Sequence, residues 1–304
     1  MPTWSEVVNE IQTLSAQKAA EAKGAVDIVR RQYLEKLAAK TGRNVIAYYS
    51  GFLSKPGIGD NDITDEDKNG FIMAVHGLDP SIGLDLILHT PGGSIAATES
   101  IVNYLHRKFQ RNIRAIVPQI AMSAGTMTAC ACRSILMTRH SNLGPIDPHL
   151  GGMPAYGVIA EFKRAFREIK KDQAKSHVWR PIIGQYPPTL LSQCENAIKW
   201  SNAFVEKQLR TVMFEGDSAA ASKAKSIVKK LSDFKGNKTH SRHIHFDECE
   251  AMQLKVSLIE DDQPLQDLVL TVHHCYMHSL MNTNSFKIIE NHKGAAFVKQ
   301  VRTQ

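Results

Sequence analysis

Between residues 83 and 139 the chain alternates short apolar runs with segments of a different character. GLDLILHT (83–90), NIRAIVPQ (112–119) and SILMTR (134–139) have the length and composition of buried strands. Between the first two lies SIAATESIVNYLHRKF, whose Ile95, Ile101, Val102, Leu105 and Phe109 fall on one side of a helix. The small-residue segment SAGTMTACACR separates the second from the third. Strand, helix, strand, helix, strand demands right-handed crossovers and a parallel sheet, so the chain is expected to be α/β.

The flanking segments fit around that unit. Residues 4 to 40 read as helical and stop near Gly42. NVIAYYSGF reads as a further strand, and KPGIGDNDITDEDKNG as a polar loop before a short helix in NGFIMAVHGL. Helices are expected from Val158 to Lys171 and from Thr189 to Phe214, with KSHVWRPIIGQYPP as a proline-broken connector between them. A capping box from Asp247 to Glu250 should open DECEAMQL. A strand in KVSLIE and a last helix in LQDLVLTVHHCYMHSLM then complete the chain. This divides it into an N-terminal helical extension, 1–42, and a main domain, 43–304.

Composition narrows the function classes. At 43% hydrophobic and 22% charged residues, the 304-residue chain is that of a soluble globular protein. It has no uninterrupted apolar stretch of about eighteen residues, so no membrane span is expected. MPTWSEVVNEIQTLSAQ lacks the basic and apolar regions of a secretory signal. Five scattered cysteines argue for reduced thiols in a cytoplasmic protein. The net charge of +7 would allow an acidic partner, but no zinc-finger spacing or aromatic RNA-binding string accompanies it, so nucleic acid is not expected. Its lysines read instead as a solvated helix face and a loop.

Two small-residue sites carry the chemistry. Pro91-Gly92-Gly93 follows the first strand, where backbone N–H groups unshielded by side chains can converge on one point. Such donors hold the oxyanion of acyl transfer. A phosphate cradle is excluded, because neither GxxxxGK[ST] nor GxGxxG is present. In AMSAGTM (121–127), Ser123 sits at a strand-to-helix turn, where free N–H groups and the helix dipole favour an attacking alkoxide. Both sites lie at the carboxyl ends of neighbouring strands, the usual ligand edge of such a sheet.

LHTPGG, IVPQIAMSAGTM and HSNLGPIDP, with KNGF, VWRPII and KTHSRHI elsewhere, closely resemble the serine dehydrogenase proteinase family of the Clp-protease/crotonase fold. More distantly they resemble Clp protease and signal peptide peptidase A. The resemblance implies a serine peptidase on a ββα-spiral core that assembles into rings or dimers. On it, Ser123 matches the nucleophile, and Gly92 and Gly93 match the oxyanion turn, with the Ala124 amide beside them.

The base is open. Where Clp protease has its histidine, this chain has Asp147 of GPIDPHLGG, with His149 two residues on. Signal peptide peptidase A uses a lysine in a connector between helices, and Lys175 of DQAKSHVWRP occupies the corresponding connector. The apolar VWRPII beside it would desolvate it and lower its pKa. A Ser123–Lys175 dyad is therefore expected, with His149, His140 and Lys163 as alternative bases and Asp147 as an orienting residue. No metal or organic cofactor is expected. Cys130-x-Cys132 reads as core, and neither the His240, His243, His245 group nor His273, His274 and His278 shows a complete ligand set.

The expected substrate is a polypeptide. The chain is also expected to form a homo-oligomer, because the N-terminal helices and the Thr189–Phe214 helix carry more apolar face than the sheet can cover. Two rivals share the fold: a crotonase-like enzyme acting on acyl-coenzyme A, and a scaffold without turnover.

Overall fold

The computed structural model describes residues 3–17 and 24–301; part of the helical reading of residues 4 to 40 lies outside them. A seven-stranded sheet forms its centre. We number its strands β1 (Asn44–Ser50), β2 (Leu84–His89), β3 (Ile113–Val117), β4 (Ser134–Met137), β5 (Val256–Leu258), β6 (Ser285–Asn291) and β7 (Ala296–Gln300). Their order across the sheet is β7-β6-β1-β2-β3-β4-β5. From β1 to β5 every pairing is parallel, while β6 joins β1, and β7 joins β6, antiparallel. The α/β expectation holds: the protein is a mixed α/β fold around a mostly parallel sheet.

Both sheet faces are covered, which is why β1 and β2 are buried at every position. Alternate residues serve opposite cores. Ile46, Tyr48, Leu86, Leu88, Ala115 and Val117 pack with the helices Asp67–Val75, Ile95–Phe109, Ala124–Cys130 and Ala220–Leu231. Val45, Ala47, Tyr49, Ile87 and Ile116 face the helices Ala25–Thr41 and Gln263–Asn282. Leu34, Leu37 and Ala38, which precede β1, are thus part of the core on this second face.

Several local readings are corrected. The last helix does not complete the chain, because β6 and β7 follow it as an antiparallel hairpin. Its central charges, Lys287 and Glu290, are fully buried, so the segment lacks the apolar signature of an interior strand. Lys287 Nζ binds Asp67 Oδ1 at 2.9 Å and the Asp62 carbonyl at 2.7 Å, and Tyr48 donates to Asp67 Oδ2 at 2.9 Å. Glu290 accepts from Arg30, Arg31 and Tyr276. The connector after Lys171 contains a helix, Ser176–Ile183, with Pro181 inside it. The capping interaction lies two residues earlier than expected: the Glu248 carboxylate accepts from the His245 N–H at the start of the Phe246–Ala251 helix.

All five cysteines are unpaired and buried. Among the described residues, no helix is long and apolar enough to cross a membrane.

Removing one partner of a buried pair strands the other charge in the interior. Lys287→Ala should therefore lower stability in urea unfolding by about 3–5 kcal/mol. Arg133→Ala, which breaks a pair with Glu215 that is 49% exposed on both sides, should cost less than about 1 kcal/mol.

Candidate functional site

The site is built where β2 and β3 end. Beyond β2, Thr90 bridges Ala121 in parallel, and their backbones exchange bonds: Thr90 N to the Ile120 carbonyl at 3.1 Å, and Met122 N to the Thr90 carbonyl at 3.0 Å. That bridge delivers the Pro91-Gly92-Gly93 turn to the loop that carries Ser123. Gly92, at φ +106°, sits so close that a Cβ there would lie 2.7 Å from Ser123 Cβ and 2.8 Å from the Met122 carbonyl oxygen. Only glycine meets both the close approach and the positive φ.

Ser123 is held at φ 50° and ψ −114°, a region that an L residue rarely occupies, as the N-cap of the Ala124–Cys130 helix. Its side chain does not cap that helix. Its carbonyl begins the helix by accepting from Met127 N at 3.0 Å, and Gly125 N closes the turn onto the Met122 carbonyl at 2.7 Å. The helix is only seven residues long, so the free amide at its start matters more here than its dipole.

The three expected oxyanion donors are not equivalent. Gly92 N–H is taken by Thr90 Oγ1 at 3.1 Å. Gly93 bridges Ile63, whose bonds go to the Gly92 carbonyl and the Ser94 amide, so the Gly93 N–H points away from that partner. Among the described residues, neither the Gly93 nor the Ala124 N–H has an acceptor. Gly92 thus contributes space, and the two free donors are those of Gly93 and Ala124.

A cavity of about 440 Å³ opens over this turn. Its lining includes Gly93, Ser123, Met127, His149, Trp200 and His240. Asp147 lies beside it, 2% exposed, in hydrogen-bond contact with His240 and near His149. His240 Nδ1 is 2.8 Å from Asp147 Oδ1, and His149 Nε2 is 3.5 Å from Asp147 Oδ2. A carboxylate only accepts, so the neutral ring of His240 carries its proton on Nδ1 in this contact, and its lone pair is then on Nε2. Burial first, then the neighbouring His240, hold the His149 pKa below the usual imidazole value, against the pull of Asp147.

Local structure explains how Asp147 and His240, 93 residues apart, come together. Leu143 and Ile244 pair through two backbone bonds of 3.0 and 2.9 Å, which align the loops leading to them. Ser201 Oγ fixes the Ile146 carbonyl at 2.7 Å. Thr126 ties the serine turn to the same loop, accepting from Gly144 N at 2.8 Å while donating to the Ala121 carbonyl at 2.8 Å.

The expected base is elsewhere. Lys175 ends a 3-10 turn, its side chain is 47% exposed, and its Nζ lies 3.8 Å from the Glu168 carboxylate. It is not among the residues lining the Ser123 cavity, and the desolvation expected from VWRPII is missing because Val178 is 61% exposed. Lys163 lines a separate apolar groove of about 970 Å³ with Phe162, Phe166 and Phe234. His140 is exposed in the turn after β4. Of the alternative bases, only His149 shares the cavity with Ser123. His240, weighed from the sequence only as a metal ligand, also lines this cavity. Its signal was the string KTHSRHI, which carried resemblance but no generic chemical pattern.

A backbone turn with free N–H donors, a strained serine and an Asp–His pair at one cavity are the parts of a serine hydrolase site. The chain belongs to the family of ClpP-like SDH-type serine proteinases, whose profile it matches over residues 19–291. It is 30% identical over 194 residues to an uncharacterized protein of Methanocaldococcus jannaschii, covering 64% of this chain and 60% of that protein. A second uncharacterized protein of the same organism is 28% identical over 195 residues, covering 64% of this chain and 59% of its own length. The chain therefore spans about 60% of the length of these curated relatives.

If Gly92 is needed for its missing side chain, Gly92→Ala must push the Ser123 turn aside. The variant should lose roughly 1–3 kcal/mol in chemical denaturation and lose covalent labelling by a fluorophosphonate, while Gly57→Ala, in open space, should change neither.

Proposed function

We propose that this protein is a serine endopeptidase in which Ser123 is the nucleophile and His240, oriented by Asp147, is the general base. The carrying observation is the cavity that Ser123 and His240 share, with His240 Nδ1 on the Asp147 carboxylate and Nε2 left to accept. In this reading His240 Nε2 takes the Ser123 hydroxyl proton as Oγ attacks the peptide carbonyl. The Gly93 and Ala124 amides hold the resulting oxyanion, and the protonated imidazole returns its proton to the departing amine. Water then repeats the sequence on the acyl-enzyme.

Family membership supports a polypeptide substrate. The strained backbone at Ser123 favours a presented nucleophile over the acyl-coenzyme A reading, which needs the oxyanion donors but no serine. Five unpaired thiols support a reducing, cytoplasmic setting. Phe166 at 70% exposure, in the apolar groove beside the Ala155–Lys171 helix, supports assembly into a homo-oligomer.

Hydrolysis of a denatured protein substrate tests the assignment. Ser123→Ala and His240→Ala should each lower the rate by about 10⁴-fold or more in variants with unchanged circular dichroism. Lys175→Arg should hydrolyse at the wild-type rate. An inactive Lys175→Arg beside an active His240→Ala would reverse the choice of base. Full activity in Ser123→Ala would end the peptidase mechanism written here.

A further inference from the structure

Asp147 presents a problem that the proposed mechanism does not solve. Its side chain is 2% exposed, yet only one carboxylate oxygen is hydrogen-bonded; Oδ2 is buried without a hydrogen-bond partner, with His149 Nε2 3.5 Å away. Burying an unsatisfied carboxylate oxygen is costly. Two imidazole nitrogens and the carboxylate converge there, and the three ligand atoms all lie within 4.8 Å of one another. At zinc–nitrogen and zinc–oxygen lengths near 2.0–2.1 Å, a tetrahedral ion needs ligand atoms roughly 3.4 Å apart. The separations from His240 Nδ1 to Oδ1, 2.8 Å, and from His149 Nε2 to Oδ2, 3.5 Å, place one imidazole nitrogen at each oxygen of the carboxylate.

We propose that Asp147, His149 and His240 bind a zinc-class divalent ion that switches the peptidase off. Three protein ligands leave a fourth position for water or a substrate group. The side chains of His149 and His240 are 30% and 24% exposed, so the site is reached through the cavity.

The switching step rests on the assignment of His240 as base; the binding step does not. In the active form the His240 proton is on Nδ1, donated to Asp147, and the lone pair is on Nε2. An ion bound at Nδ1 uses the lone pair there, so the one proton of the neutral ring moves to Nε2. No proton is gained or lost, but Nε2 becomes a donor and cannot take the proton of Ser123. Zinc would thus act as an inhibitor and not as the hydrolytic metal.

Cobalt and zinc titrations of the metal-free protein test both steps. One equivalent of cobalt should give the intense visible bands of a four-coordinate site, displaced by zinc, in wild type and in Ser123→Ala alike. His149→Gln and His240→Gln should each weaken binding at least about tenfold, while His243→Gln, outside the cluster, should leave it unchanged. Absence of those bands in wild type, or zinc affinity unmoved by both cluster substitutions, overturns the site. Zinc should also suppress fluorophosphonate labelling of wild type over the range in which cobalt is displaced. Binding with labelling intact overturns the switch. If the metal-free protein is neither labelled nor active, the peptidase reading fails, and the cobalt spectrum alone still decides the metal site.

Discussion

Everything at this site depends on one close approach, that of Gly92 to Ser123. Parallel pairing of β2 and β3 continues past the strands as the Thr90–Ala121 bridge, which brings two sharp turns into contact. The contact has no room for a Cβ at Gly92, and it leaves Ser123 at a backbone conformation that would relax in a free loop. The same geometry spends the Gly92 N–H on Thr90 and frees those of Gly93 and Ala124. Strain, donor direction and serine presentation are one constraint expressed in three places.

Around that contact, polar groups buried inside the fold set positions that hydrophobic packing alone would leave loose. Thr126 ties the serine turn to the loop before Asp147, and Asp147 in turn anchors His240 across a sequence gap of 93 residues. On the far edge, Lys287 with Asp67 and Glu290 with Arg30 fasten the hairpin β6–β7 to the Asp67–Val75 and Ala25–Thr41 helices that cover the sheet. These interactions fix register and orientation more than they add net stability.

What the sequence reveals follows the range of the forces involved. The parallel core was legible because β1 to β4 are short apolar runs, and the Pro-Gly-Gly turn and Ser123 because small residues there have local causes. The hairpin β6–β7 was not, because Lys287 and Glu290 carry charge into an interior strand and their partners lie far away in sequence. The place of Lys175 was misread for the same reason. Lys175 has apolar neighbours in sequence, but in the Ser176–Ile183 helix Val178 turns to solvent and only Trp179 is buried. His240 has no telling neighbours, and its place beside Asp147 comes from the Leu143–Ile244 pairing that no local pattern announces.

The central claim is that Ser123, and no other side chain, attacks an acyl-type electrophile. Reaction of the intact protein with a fluorophosphonate, followed by digestion and mass mapping of the adduct, tests it most directly. The account predicts one adduct per chain, on Ser123, and none after denaturation before labelling. An adduct on another residue, or a natively folded active protein that carries none, would contradict it.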